Sequence, residues 1–153
     1  MPSDARIWVY QSDRRFTESE VAEIKNLTKT FIEAWTAHDK QLRASFEIRH
    51  NCFIILAVDE KEAGASGCSI DKSLNHIKKL EALFSLSLLN RLNVAYRSGG
   101  RIELCSMDNF RTLLSKGSVK PETPVFNNLV STVAELNTAW ELPLEKSWHA
   151  SLI

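Results

Sequence analysis

The pattern of apolar and polar positions in the first part of the chain predicts a strand, a helix and two further strands. Residues 6–11 (RIWVYQ) are rich in residues that favour strands. From Thr17 apolar residues recur at helical spacing to about residue 37, and Thr17 and Glu20 have the spacing of a capping box. Residues 44–50 alternate as an edge strand does, whereas residues 52–58 (CFIILAV) are apolar throughout. The last of these strands should therefore lie in the middle of a sheet.

The remaining pattern predicts a second helix, a hairpin and short helices. Residues 70–84 have helical spacing and follow a loop of small residues at 59–69. Residues 92–97 and 101–105 flank Ser-Gly-Gly, which is typical of a hairpin turn. Ser106 and Thr132 each stand where a residue can cap a short helix, and a last helical piece is expected after Pro143. The predicted order is β-α-β-β-α-β-β-α-α.

This order predicts a single α+β domain over residues 1–153, with a mainly antiparallel sheet of about five strands and helices packed on it. Its first six elements match the βαββαβ arrangement of ferredoxin-like folds, to which a strand and C-terminal helices are added. In that arrangement the first and third strands are central and the second is an edge. The all-apolar strand at 52–58 and the alternating strand at 44–50 both agree with it.

Charge and cysteine usage exclude several functional classes. Lys and Arg together number 19, as do Asp and Glu, so the formal net charge is zero and neither nucleic acid nor an anionic membrane is an expected partner. No apolar run is long enough for a membrane helix, so a soluble cytoplasmic protein is expected. Three widely spaced cysteines without a CxxC pair predict free thiols rather than disulfides or zinc. No cofactor is predicted.

The candidate site lies at two loops that a parallel central pair of strands would bring together. These are loops 12–16 and 59–69, which would meet at the carboxyl ends of the first and third strands. Free amides at a helix start and two arginines would attract a small anionic ligand there. The expected contacts are Arg14, Arg15, Gly64, Ser66, Gly67, Cys68 and Ser69. The alternative is that Ser69 only caps the helix and the glycines only turn the chain.

Other functions remain open on the same residues. Cys68 could be a catalytic thiolate, since a helix N-terminus and nearby arginines lower the pKa of a thiol. Asp59 and Glu60 could hold Mg²⁺, although the ligand set is incomplete. The protein could also be an interaction module that forms oligomers through a sheet edge or through Trp148. A non-catalytic or regulatory binding module is the leading hypothesis.

The segment GASGCSIDKS is similar to a phosphate-binding P-loop but has the wrong spacing. A P-loop needs glycine directly before lysine, whereas Asp71 precedes Lys72 here and Gly67 lies five positions back. Lys72 should lie inside the helix, and Asp71 should repel phosphates. We therefore expect no P-loop ATPase.

Three further sets of residues have structural interpretations. His76 is expected on a solvated helix face, and Asn127 and Asn128 are expected to make local turn hydrogen bonds. Trp140 and Trp148 are expected in the core or at a docking surface.

Five segments together resemble a family of short bacterial proteins of unknown function. They are RIWVYQSDRRFTESEV, ASFEIRHNCFIILAVDE, AGASGCSIDKS, VFNNLV and ELPLEKSWH. The resemblance covers nearly the whole chain and is most specific in AGASGCSIDKS. Members are often labelled ABC transporter ATPase, but the resemblance implies no established fold, activity or ligand. This chain has neither a Walker A motif nor the Leu-Ser-Gly-Gly core of an ABC signature.

Overall fold

The computed structural model describes residues 1–153 and contains nine strands and four α-helices. They follow in the order β1 (Arg6–Gln11), α1 (Glu18–Glu33), β2 (Thr36–Ala37), β3 (Lys40–Gln41), β4 (Arg43–Arg49), β5 (Phe53–Asp59), α2 (Gly67–Phe84), β6 (Asn93–Ser98), β7 (Arg101–Ser106), α3 (Met107–Ser115), β8 (Pro124–Phe126), α4 (Val133–Ala139) and β9 (Glu141–Pro143). Two 3₁₀ helices, Leu144–Lys146 and Trp148–Leu152, end the chain. None of the helices combines the length and apolarity that a membrane crossing requires.

Local capping fixes where the two long helices begin. The Thr17 hydroxyl accepts a hydrogen bond from the Glu20 amide, and the Glu20 carboxylate accepts one from the Thr17 amide, so the predicted capping box is confirmed. Helix α2 begins three residues before the predicted start because Ser66 is its N-cap. Helix α1 ends at Glu33, before the predicted end, and Trp35 instead donates its indole N–H to the Ser69 carbonyl.

The first sheet has the order β1-β5-β4, and both of its pairings are antiparallel. Every residue of β5 is buried, as the all-apolar sequence predicted for a central strand. The β4 strand lies at one edge, which confirms the interpretation of its alternating pattern. The β1 strand lies at the other edge.

The α+β class with mainly antiparallel sheets is confirmed, and the first sheet agrees with part of the ferredoxin-like arrangement. The split β-α-β unit of that arrangement has β5 between β1 and β4, as here, but β6, which would lie beside β1 as the fourth strand, pairs with β7 and β8 in the second sheet. The expectation that β1 and β5 run parallel was wrong, because they pair antiparallel. Strand β1 is parallel instead to β4, with β5 inserted between them. An alternating pattern shows which faces of a strand are buried but does not show its direction, so the sequence could not exclude this pairing.

A second sheet has the order β7-β6-β8-β9 and packs on the first. The β6–β7 hairpin was predicted, and Gly99 and Gly100 turn it with φ of 57° and 80°. Strands β8 and β9 were not predicted because each has only three residues, which is too short for a periodic signal. The predicted sheet of about five strands is thus two sheets and a small β2–β3 hairpin.

The first sheet separates two cores. Ile54 and Leu56 of β5 face a core formed with α1 and α2, whereas Phe53, Ile55 and Ala57 face the second sheet. The far side of the second sheet packs on α3 and the first 3₁₀ helix through Phe110 and Leu144. The chain therefore stacks helices, sheet, sheet and helices, which explains why β5 needs apolar residues on both faces.

The expectation for His76 was wrong. This residue is buried between α1 and α2, stacks on Phe31 with ring centroids 4.5 Å apart, and has its Nε2 3.0 Å from the Thr28 hydroxyl oxygen. Burial, with a smaller contribution from Lys79, lowers the pKa of His76 to about 4. Polar neighbours in sequence had suggested a solvated face, but the helix pair covers it.

Candidate functional site

The two loops predicted to form a site lie at opposite ends of the first sheet. In the β1–β5 register, Gln11 is opposite Phe53 and Arg6 is opposite Val58. Loop 12–16 therefore follows β1 at one end, and loop 59–69 follows β5 at the other, about 17 Å away along the strands. The structure does not bring Arg14 or Arg15 to Gly64, Ser66, Gly67, Cys68 or Ser69. The antiparallel pairing is the physical reason.

Both arginines of loop 12–16 already have partners. The Arg14 guanidinium donates two hydrogen bonds of 2.8 Å to the Glu20 carboxylate and one of 2.7 Å to the Phe84 carbonyl. The bonds from Arg14, together with the one from the Thr17 amide, lower the pKa of Glu20 to about 2. Arg15 donates to the Ile102 carbonyl of β7. Arg14 is thus neutralised by a neighbouring carboxylate, and both arginines tie loop 12–16 to other elements.

Several polar groups of loop 59–69 bond to one another. The Ser66 hydroxyl accepts the Ser69 amide at 3.1 Å, and the Ser69 hydroxyl accepts the Ser66 amide at 2.7 Å. Glu60 accepts the Ala65 amide at 2.8 Å. Neither Gly64 nor Gly67 has the left-handed φ that would require glycine. Ser66, and not Ser69 as the capping alternative expected, is the N-cap of α2, and Ser69 completes its capping box.

The candidate catalytic and metal residues are not joined into a centre. Cys68 is exposed at the second position of α2. Asp59 is buried and accepts the Lys61 amide at 3.2 Å, and the chain contains no group of three or more His, Cys, Asp or Glu side chains placed to hold a metal ion. Lys72 lies in the second turn of α2, with its ammonium 3.5 Å from the Thr36 hydroxyl.

A groove of about 720 Å³ runs along the edge of β1 that faces away from β5, and it was not predicted. This volume is within the range of small-molecule pockets. The groove extends from α2 across β1 to the segment after β8 and to the last 3₁₀ helix. Its apolar lining includes Ile7, Trp8, Val9, Ile70, Leu74, Leu88, Leu89, Met107, Phe126, Leu129, Val130 and Trp148.

The charged residues that line this groove are all positive. Its lining includes Arg6 and Arg91 but no Asp or Glu. Neither arginine belongs to one of the ion pairs of the structure, and Arg6 lies over the Trp8 ring at 4.8 Å from its centroid. In a chain of zero formal net charge, two unneutralised cations beside an apolar groove favour an anionic occupant.

A chain of hydrogen bonds enters the groove wall from the second sheet. The Trp140 indole N–H donates to the Asn128 side-chain oxygen at 2.9 Å, and the Asn128 amide nitrogen donates to the Gln11 side-chain oxygen at 2.7 Å. The remaining polar atom, Gln11 Nε2, is the one buried side-chain nitrogen or oxygen in the chain without a hydrogen-bond partner. Gln11 itself is only 6% exposed. Such groups are rare in native proteins and require an explanation.

The backbone of β1 adds further unpaired groups to the groove. The Ile7 amide donates away from β5 to the Ser131 carbonyl at 2.9 Å, whereas the Ser12 amide donates towards β5, to Cys52. Because backbone groups alternate between the two sides of a strand, Val9 also directs its N–H and C=O away from β5. No hydrogen bond joins the Val9 backbone to another residue on that side.

His149 closes part of the groove wall. Its Nδ1 lies 2.7 Å from the Ser147 hydroxyl oxygen, and its ring stacks on Trp148 with centroids 3.8 Å apart. Burial lowers the pKa of His149 to about 4, so the ring is neutral at pH 7. A neutral imidazole adds no positive charge to the groove.

The sequence interpretation missed this site because its members are far apart in the chain. Asn127 does make the expected local bond, accepting the Leu129 amide at 3.2 Å, but Asn128 bonds to Gln11, 117 residues away. Trp140 is buried as expected, and its indole N–H donates to the Asn128 side-chain oxygen and so fixes the orientation of that amide. A glutamine at the end of a predicted strand was the one available signal, and a single polar residue does not identify a distant partner.

Comparisons with protein-family models, curated proteins and solved structures found no match to this chain.

Proposed function

We propose that the protein is a non-catalytic or regulatory binding module that holds a small anionic ligand in the groove beside β1. The class of ligand is the one expected from the sequence, but the site differs. Loops 12–16 and 59–69 lie at opposite ends of the sheet, and Arg14 is neutralised by Glu20.

The observation that carries the proposal is the charge of the groove lining. Arg6 and Arg91 are its charged residues, and no carboxylate of the chain lies among the lining residues to neutralise them. Apolar side chains form most of the remaining wall, so an anion with an apolar body fits better than a bare inorganic ion. The arginines would bind the charge by charge-assisted hydrogen bonds while the body contacts residues such as Leu74 and Leu129.

Titration with 8-anilinonaphthalene-1-sulfonate, an apolar aromatic anion that fluoresces when bound, tests the proposal. We expect saturable binding to the folded wild-type protein and about tenfold weaker binding to Arg91→Gln, because one charge-assisted hydrogen bond contributes about 1.4 kcal/mol or more. Arg6→Gln should weaken binding in the same direction.

Arg101→Gln is the matched control, since Arg101 is exposed at the start of β7 and lies outside the groove. Its affinity for the probe should equal that of the wild type. Absence of saturable binding, or an equal loss in Arg101→Gln, would contradict the proposal. Thermal unfolding followed by circular dichroism checks that each variant is folded.

A further inference from the structure

The edge of β1 that faces away from β5 is covered by this chain at both ends but not in the middle. Near the start of β1 the Ile7 amide donates to the Ser131 carbonyl at 2.9 Å, and beyond its end the Asp13 amide donates to the Ser87 carbonyl at 3.1 Å. Alternation along the strand directs the Ile7 C=O, the Val9 N–H and the Val9 C=O to the same side. No residue of the chain bonds to these three groups, which form an open window in the edge of β1.

A turn explains why the chain leaves this window open. If the antiparallel bridge at Arg6 continued, Leu129 would lie opposite Val9 and would exchange two main-chain bonds with it. The Leu129 amide instead donates to the side-chain oxygen of Asn127 at 3.2 Å, and the Leu129 side chain is 67% exposed. The chain therefore turns away from β1. The groove lies in the place of the missing strand, and Val9, which is only half-buried, lines it.

The groove has apolar walls on both faces of a strand placed beside the window. Successive side chains of a strand point to opposite faces. On the face of β1 that carries Val9, the groove is lined by Phe126 and Val130, and on the other face it is lined by Leu74 and Leu88. An extended peptide with apolar side chains contacts both walls while its main chain bonds to the window. A hydrocarbon chain contacts the walls but leaves the window unpaired.

We infer that the ligand of the groove is a short apolar peptide with a free carboxylate, extended beside β1 and hydrogen-bonded to Ile7 and Val9. The inference rests on the proposed function and names the class of its small anionic ligand. In either strand direction, the amides of two alternate ligand residues donate to the Ile7 and Val9 carbonyls, and a ligand carbonyl accepts the Val9 amide. Arg6 and Arg91 attract the carboxylate, since no Asp or Glu lines the groove.

The covered ends of the edge favour a short peptide over a long strand. The bonds of Ile7 and Asp13 to other parts of the chain are six residues apart along β1, which corresponds to about 20 Å. A strand longer than a few residues would meet Ser131 at one end or Ser87 at the other. Acetylated tetrapeptides are therefore suitable probes.

A scan of single N-methyl groups tests the main-chain bonds. Acetylated tetrapeptides of alanine, of valine or of leucine, each with a free carboxylate, compete with 8-anilinonaphthalene-1-sulfonate for the folded protein. For at least one of them we expect saturable competition that methylation weakens by at least about fivefold at two alternate positions, because each methyl group removes one bond to β1. Methyl groups at the other two positions point away from β1 and should change the affinity by less than about twofold.

The scan contains its own control, because each tetrapeptide has one residue type and its methylated forms differ only in the position of the methyl group. The charge is tested with the same peptide carrying a C-terminal amide. This form should bind about tenfold more weakly than the free acid, since it loses a charge-assisted hydrogen bond to an arginine.

Val9→Pro tests the window from the side of the protein. Proline removes the Val9 N–H, which takes no part in the pairing with β5, and proline is tolerated where an edge strand has such a free N–H. The affinity for the peptide should fall about fivefold or more. Leu104→Pro is the matched control, because Leu104 packs on the same core, directs its N–H away from β6 at the edge of the second sheet and lies outside the groove. Circular dichroism checks folding, and the methyl scan does not depend on either variant.

The outcomes separate this inference from the proposed function. Saturable probe binding that none of the tetrapeptides displaces overturns the inference alone. Equal losses at all four methylated positions, or no loss at any of them, also overturn it, because a peptide held only by its side chains and charge shows no alternation. Unchanged peptide affinity in folded Val9→Pro has the same consequence. Absence of saturable probe binding to wild-type protein overturns the proposed function, and the inference with it.

Discussion

Loop 59–69 and the groove beside β1 both place polar groups next to the first sheet, but their hydrogen bonding differs. In the loop, Ser66 and Ser69 satisfy each other, and Glu60 accepts the Ala65 amide. In the groove, Gln11 Nε2 and the outward backbone of Val9 have no partner. The loop is the region that the sequence marks as a candidate site, whereas the unpaired polar groups belong to residues that line the groove.

The difference shows why small polar residues before a helix are weak evidence for a ligand. Serine and glycine are favoured there because they satisfy the free amides of the first helical turn themselves. A polar side chain is instead left unpaired when the rest of the fold keeps it away from partners. Gln11 is held in this way because Asn128 and Trp140 fix its amide.

The largest effect that tests this comparison is the difference in reactivity among the three thiols. Cys68, in the first turn after the loop, is exposed, whereas burial raises the pKa of Cys52 to about 12 and that of Cys105 to about 11. We expect iodoacetamide to alkylate Cys68 at least about tenfold faster than either, because the thiolate is the nucleophile. Mass spectrometry of peptides from briefly labelled folded protein measures the three rates.

Labelling in urea is the control, since unfolding exposes all three thiols and should bring their rates close together. Faster alkylation of Cys52 or Cys105 in the folded protein would contradict the burial of Cys52 and the partial burial of Cys105. It would also show that the Cys68 end of α2 is less open than the structure indicates.

Acid should lower the free energy of unfolding by a few kcal/mol, through one buried histidine in the groove wall and one between the two long helices. Burial lowers the folded-state pKa of His149 and of His76 to about 4, below the unfolded value of 6.5. Between these values the unfolded chain binds more protons. The contribution of the two histidines to the free energy of unfolding is therefore present in full above pH 6.5. It falls as the pH drops towards 4, by about 1.4 kcal/mol per pH unit for each histidine.

Urea unfolding at pH 7, 6 and 5 measures this dependence. His149→Phe should remove about half of the combined slope, whatever its effect on stability at pH 7. His38→Asn is the control, because His38 is exposed at a positive φ of 50° that asparagine tolerates, and it should leave the slope unchanged. An unchanged slope in His149→Phe would mean that His149 is not buried in the folded protein.

The smallest effect tests the structural role of the loop. Ser66→Ala removes the N-cap of α2 and should lower the free energy of unfolding by about 1 kcal/mol. Binding of 8-anilinonaphthalene-1-sulfonate should not change, because Ser66 is outside the groove. Urea unfolding and probe titration give the two values.

Ser118→Ala serves as the control for this variant, since the Ser118 side chain is exposed and makes no hydrogen bond. It should change neither stability nor probe binding. Weaker probe binding in Ser66→Ala alone would show that the loop takes part in ligand recognition, and the contrast between the two regions would then be wrong.

The sequence by itself determined the elements whose signals are local. The capping box at Thr17, the apolar run of β5 and the Ser-Gly-Gly turn each depend on residues within a few positions of one another, and all three are present. The burial of β5 on both faces also followed from its composition, because only apolar residues can be covered by a helix layer and a second sheet together.

Only the tertiary structure decided the direction of β1 and, with it, the place of the candidate site. Antiparallel pairing of β1 with β5 separates the two loops and leaves one edge of β1 facing the groove. The hydrogen bonds from Trp140 through Asn128 to Gln11 join residues from opposite ends of the chain. Periodicity records which faces of an element are covered but not which distant element covers them, so packing alone could leave Gln11 without a partner.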